Sequence, residues 1–302
     1  MILTLFVVIA LTFVLMHSIP GGPFSSEKKV PDEILRVLNE QLHLNDPLPK
    51  QFFDYLSNIV MHGDMGPSFK IKGRTVTEII ASGLPITARM GILSAILTLI
   101  LAIPLGIISA LRQNKWQDYS IMFFATLGVT IPSFVIAILM IYIFCVWLGW
   151  FPVLAGRMEN LATLVLPVIA LSAYSLSFIT RLMRSSMLDV SRQDYIRTAR
   201  AKGLSEFRVI AKHAMKNAII PVITYMGPML SALLTGSFVI EKLFSIAGIG
   251  RFFVESISSR DYMMIMGVTI LDAALLIFMN FLVDIAYGFI DPRIKLTGAK
   301  EE

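Results

Sequence analysis

The 302 residues are 56% apolar or aromatic and only 16% charged, against roughly 45–50% and about 25% in soluble domains. This balance points to a membrane protein and excludes a disordered chain. The scattered 19 Gly and 14 Pro exclude a collagen-like or low-complexity scaffold, and the single cysteine, Cys145, excludes an intrachain disulfide. Lys and Arg number 26 against 21 Asp and Glu, a net charge of +5. These cations cluster between apolar stretches, which is a signal of membrane topology, and no nucleic-acid partner is expected.

A helix that crosses about 30 Å of hydrocarbon needs about 20 mostly apolar residues. Six stretches qualify, near 1–19, 88–111, 119–148, 162–181, 217–240 and 263–289. The first lacks a basic lead, so it is expected to stay as a helix and not to be cleaved as a signal peptide. Pro104, Pro132 and Pro167 fall inside apolar runs, predicting kinked or broken helices that neighbouring helices support.

Residues 20–87 are expected to form a small extracytoplasmic domain. Ile34, Leu35, Leu38 and Leu42 follow a helical period, Phe52–Met61 is a second amphipathic run, and Gly63–Pro67 is a turn. Between 181 and 216 stand nine basic residues against three acidic ones, whereas the 149–161 loop has Arg157 alone. The basic loop is therefore expected in the cytoplasm, together with both termini and the tail from 291 to 302.

Several chemistries are missing. No Gly-Lys dipeptide exists, so there is no phosphate-binding loop, and neither a His-Glu-x-x-His zinc site nor a Gly-x-Ser-x-Gly elbow occurs. No catalytic residue and no metal site are expected. Asp272 and Asp284, the acids inside a span, lie about 18 Å apart along one helix and cannot form a dyad by themselves. An acid in a span is a functional candidate, so Asp272 is expected to face a polar cavity or another helix.

The segment Asp194–Pro221 divides at Gly203. Tyr195–Lys202 is a helix-forming run, and Ser205 is positioned to cap a second helix with Glu206 in its first turn. At the helical period, Phe207, Ile210, Ala211 and Ala214 fall on one face and Arg208, Lys212 and Lys216 on another. Such a basic amphipathic pair serves either as a surface helix on anionic lipid or as a docking element for a cytoplasmic partner.

Ala199, Gly203, Asn217 and Pro221 resemble the EAA-type loop of permease subunits of ABC importers. Further stretches agree: His17–Phe24, Gly63–Gly66, Leu127–Phe134, Phe238–Phe244 with Gly248–Arg251, and Asp291–Ile294. Together they resemble the oligopeptide, dipeptide and nickel permeases, most closely the B-type oligopeptide subunit. Arg197-Thr198 stand where the general motif has Glu-Ala, and Met215-Lys216 where it ends in Leu-Pro, so no salt bridge of that Glu is carried over.

The resemblance implies an all-α membrane protein with the type I importer permease fold and six transmembrane helices. It divides the chain into a first helix at 1–19, the extracytoplasmic part at 20–87, a five-helix core at 88–290 with coupling helices at 193–216, and the tail. It implies a pore-forming subunit of an ATP-driven peptide importer that is not itself an enzyme, embedded in the lipid of the cell membrane, the inner one where there are two. The implied partners are a C-type permease, two ATP-binding subunits that hold ATP and Mg, and an extracytoplasmic peptide-binding protein. Tyr195, Arg197, Thr198, Ala199, Ala201, Gly203 and Phe207 are the residues expected at the ATPase docking site. For the path, the small and flexible side chains of Ser231, Thr235 and Met229 are expected to line it with Asp272; the same spacing also suits close helix packing. A dipeptide or nickel permease, or a proton-coupled secondary transporter, are the alternatives.

Overall fold

The computed structural model describes residues 1–19, 22–24, 32–152 and 161–290. The regular elements among them are helices, and one isolated bridge pairs Pro67 with Thr75. Arg157, the Asp291–Ile294 stretch and the tail lie outside the described residues.

Helix α1 (Ile2–His17) has 16 residues, about 24 Å of rise. Its Ile9 and Phe13 pack against Met266 and Ile270 far along the chain. The two short helices read from the sequence are present as α2 (Asp32–Gln41) and α3 (Leu48–His62). Helix α3 turns Phe52, Tyr55, Leu56 and Ile59 onto the α1 surface, with the Phe52 ring edge-on to both Phe6 and Phe13. It stops at Gly63, whose φ of +64° suits a residue without Cβ.

Helix α4 (Val76–Leu111) begins twelve residues before the expected start at 88. A capping box explains this: the Glu78 amide donates to Thr75 Oγ1 and the Thr75 amide to a Glu78 carboxylate oxygen. At 36 residues it rises about 54 Å, far more than a bilayer core, so its first turns protrude. Of the two outcomes expected at Pro104, a kink or a break, the break does not occur: the helix runs on through it.

Pro132 does break its helix. Ile131 takes an extended conformation before the proline, and α5 (Trp116–Thr130) and α6 (Ser133–Met140) meet at 106°. A π-helical segment, Ile141–Trp147, continues α6. Helix α7 (Leu161–Ser191) passes through Pro167 and extends ten residues beyond the expected end, into the basic connection.

After the basic connection come α11 (Ile220–Thr235), α12 (Phe238–Leu243), α13 (Ile249–Ser259) and α14 (Tyr262–Ile290). The short elements α8 (Asp194–Ala201), α9 (Glu206–Arg208) and α10 (Met215–Ala218) belong to that connection. All six predicted apolar stretches are helical, but among the described residues four form single helices long enough to span, one is the bent pair and α1 is short.

The long helices pack through small residues. A Cβ on Gly106 of α4 would lie 2.6 Å from the Met183 Cβ of α7, and one on Gly91 would lie 2.2 Å from the Leu233 carbonyl oxygen of α11. Between membrane helices this close approach replaces the hydrophobic drive available in water. The resulting core runs from Ala95 and Ala102 through Ile179, Met183 and Met187 to Ala214 and Ala218, joining the bundle to its basic end.

Candidate functional site

The basic connection folds as a platform. Helix α8 ends at Ala201, Gly203 reverses the chain at φ +75°, and α9, a π-helical segment Val209–Ala214 and α10 follow. Ile196 and Ala199 are 0% and 5% exposed and join Val209, Ala214 and Ala218 against Met183 and Met187 of α7. Two polar bonds clamp the halves. Arg200 Nε donates to Glu206 at 2.9 Å, and Asn217 Nδ2 donates to the Tyr195 hydroxyl at 2.7 Å.

The expected apolar face holds only in part: Ala214 is buried and Ile210 packs on the core, but Phe207 is 82% exposed and Ala211 is also exposed, while Val209 and Ala218 are buried. The cause is the π-helical turn: its wider pitch places Val209 and Ala214, five apart, on one side, which a 100° period does not. Ser205 occupies the expected cap position, but its hydroxyl makes no cap bond.

Of the residues expected at the docking surface, Tyr195, Arg197, Thr198, Ala201, Gly203 and Phe207 are exposed together. Ala199 is not; its small side chain serves the platform's own core. Ile196, absent from that expectation, is the deeper anchor, and its three-residue spacing from Ala199 was the available signal.

Beside the platform, Asp118 of α5 holds three elements together. Arg184 of α7 donates to both carboxylate oxygens at 2.7 Å, Ser109 of α4 donates at 2.5 Å and the Asn114 amide at 3.0 Å. This bidentate pair closes the basic end of the bundle.

Two buried carboxylates fix the opposite end. Glu241 of α12 is 0% exposed and accepts from the Thr87 hydroxyl at 2.9 Å and from the Arg251 amide at 3.1 Å. Thr87 Oγ1 in turn accepts from the Ile249 amide at 2.9 Å. The first amides of α13 are thus satisfied from two other helices, with a carboxyl group at the positive end of the dipole. Gly248 is required beside them, since a Cβ there would lie 2.4 Å from Thr87 Oγ1.

Asp261, 2% exposed, caps α14 through the Met264 amide at 3.2 Å. It also receives the Ser68 hydroxyl at 2.5 Å and the Phe69 and Lys70 amides. The loop before α4 is thereby tied to α14. Sequence reasoning missed both roles, although an acid within the otherwise apolar Phe238–Phe244 run was a visible signal for Glu241.

The residues expected along the path separate into two pairs. Met229 and Ser231 are 2% and 3% exposed, and Met229 packs beside Leu233 in the core. Their burial inside this chain suits the close helix packing that the same spacing allows. Thr235 is half-buried and its hydroxyl donates to the Ser231 carbonyl at 3.1 Å, while Asp272 of α14 is exposed. At the other end of the same helix pair, Thr224 and Tyr287 join through their hydroxyls.

Comparison with known proteins matches this architecture to one family. Residues 102–296 match the model described as "Binding-protein-dependent transport system inner membrane component", and residues 1–91 match its N-terminal counterpart. The chain is 47% identical to the dipeptide transport system permease protein DppB of Bacillus subtilis, covering 97% of this chain and 94% of that one. It is 43% identical to the oligopeptide transport system permease protein OppB of Escherichia coli, covering 97% and 95%. A chain of the MetNI methionine ABC transporter in an inward-facing conformation shares the fold at a TM-score of 0.58 and 17% identity, over 70% of this chain and 96% of that one. The chain belongs to the binding-protein-dependent transport system inner membrane components, the membrane-spanning permease subunits of ABC importers.

Proposed function

We propose that this chain is one of two pore-forming subunits of an ATP-driven importer of peptides. The observation that carries the mechanical part is Phe207, an aromatic ring 82% exposed on a platform that closes its own core with other residues. Leaving such a ring in water forfeits about 1.5–3 kcal/mol of burial, which a docked partner recovers. The peptide substrate is supported by the printed functions of relatives at 43–47% identity.

In this reading the basic end is cytoplasmic and receives an ATP-binding subunit on Tyr195, Arg197, Thr198, Ala201, Gly203 and Phe207. A C-type permease completes the pore, a second ATP-binding subunit docks on that permease, and a peptide-binding protein delivers cargo to the opposite end. ATP and Mg remain in the partners. Because the platform core is continuous with Met183 and Met187 of α7 and with Val222 of α11, displacement of the platform moves the ends of those helices.

Reconstitution of the complete complex in vesicles tests the proposal. Peptide uptake that requires ATP and is indifferent to a proton gradient is expected. Uptake driven by the gradient without ATP would favour the exposed Asp272 as a proton carrier and overturn it. Cysteines placed at Lys50 and Lys72 should react with an impermeant reagent from outside; labelling only after membrane rupture would reverse the proposed orientation.

A further inference from the structure

A groove of about 600 Å³ opens between α5 and α7 next to the Asp118–Arg184 pair. Tyr174, Phe178, Arg181 and Ser185 line it from α7, spaced four, three and four residues apart and hence on one face; Thr126 faces them from α5. Tyr174, Arg181, Ser185 and Thr126 are exposed on this chain. Arg181 stands where α7 enters the basic connection, and with the exposed hydroxyls of Tyr174, Ser185 and Thr126 it makes this face polar, which suits water or protein better than lipid.

The groove has two chemical zones. One is an aromatic shelf: the Tyr174 and Phe178 rings stack at 6.2 Å, and Phe178 meets Tyr225 of α11 at 4.4 Å. The other holds two guanidinium groups, and they are not equivalent. Arg184 is spent on both oxygens of Asp118, whereas Arg181 makes no ion pair among the described residues. One positive charge therefore remains open where the groove approaches the basic end.

We infer that Arg181 contacts the C-terminal carboxylate of the peptide in transit, with the Tyr174–Phe178–Tyr225 shelf carrying its side chains. The inference rests on the reading of the chain as a peptide importer and adds to it a substrate contact on α7. Aromatic faces accept side chains of many shapes, and every unmodified peptide presents one terminal carboxylate, so neither contact depends on peptide sequence. The pair would be solvent-exposed and weak, enough to bias position without trapping cargo.

The test uses the reconstituted complex and two forms of one peptide, with a free or an amidated C-terminus. Arg181→Gln should lower uptake of the free form several-fold relative to the amide, and Arg181→Lys should restore much of it. An equal change for both forms, or a defect that vanishes in vesicles without anionic lipid, would assign the guanidinium to a helix contact or a headgroup and overturn the inference. A wild-type complex that imports no peptide would instead refute the importer reading itself.

A second measurement does not depend on delivery of the amidated peptide. In a Cys145→Ser background, Ser185→Cys should react faster with an anionic methanethiosulfonate than with a cationic one, and this preference should fall several-fold in the added presence of Arg181→Gln. A Ser185→Cys complex that is unreactive in every nucleotide state, or a rate ratio that Arg181→Gln leaves unchanged, would also overturn the inference.

Discussion

The platform of residues 194–218 and the opposite end of the bundle solve opposite problems. At the basic end, residues 194–218 bury Ile196, Ala199, Val209, Ala214 and Ala218 and leave their charges and Phe207 in water. At the other end the charges are what is buried: Glu241 and Asp261 sit at 0% and 2% exposure, each with several donors drawn from separate elements. Apolar contacts are non-directional and leave a surface free to meet another protein, while a buried carboxylate is stable only when its donors stay in place. The platform is proposed to receive a partner, and the other end holds short helices in a fixed arrangement.

The largest effect should come from removing a carboxylate at the fixed end. Glu241→Ala leaves the Arg251 amide and the Thr87 hydroxyl without their acceptor. Unsatisfied buried groups cost about 1–3 kcal/mol each, so a loss of about 3 kcal/mol or more is expected, read as a lower thermal midpoint of the purified complex. Glu241→Gln keeps an acceptor and should lose less. Equal stability of both variants and wild type would break the contrast between the ends.

Asp261→Ala comes next. It removes a helix cap, worth about 1 kcal/mol, and also frees the loop carrying Ser68, Phe69 and Lys70. Protease cleavage within residues 64–75 should accelerate by about tenfold or more, consistent with a local loss of about 1.4 kcal/mol, while helix content stays unchanged. Unaltered cleavage would mean that other contacts hold the loop.

A smaller effect distinguishes packing from exposure along α11. Ser231→Cys should stay unreactive to a polar thiol reagent, while Thr235→Cys and Asp272→Cys react, because the first is buried in the chain and Asp272 is exposed. Reaction of all three at similar rates would place Ser231 on the path.

Gly203→Trp should disturb the least structure. No atom lies within 4 Å of a Cβ built there, so the cost is the left-handed backbone alone, about 1–2 kcal/mol. The complex should assemble and hydrolyse ATP with little peptide uptake. Wild-type uptake would exclude Gly203 from coupling.

What the sequence made legible follows from the range of each interaction. The apolar stretches, the Gly203 break and the two short helices before α4 depend on neighbours in the chain, and all appear in the structure. The Asp118–Arg184 pair joins residues 66 apart, and Ser68–Asp261 joins residues 193 apart; no local period reveals such partners. The face of 206–218 was misread in part for a third reason, since a π-helical turn changes the angular period on which the reading depended. For Pro104 and Pro132 the residue type was the same but the outcome differed, one within a continuous helix and one at a 106° bend. Pro104 lies in a helix closely packed against α7, where neighbouring groups can take up the freed backbone carbonyl.

The central claim is that Phe207 belongs to an interface with an ATP-binding subunit. The direct measurement is the composition and peptide uptake of complexes purified with Phe207→Ala or Phe207→Asp. A buried aromatic anchor is worth about 2 kcal/mol or more, so the second permease should co-purify normally while the ATP-binding subunits are depleted and uptake falls by about tenfold or more. Variants that retain the ATP-binding subunits at wild-type stoichiometry and import peptide at the wild-type rate would contradict the account.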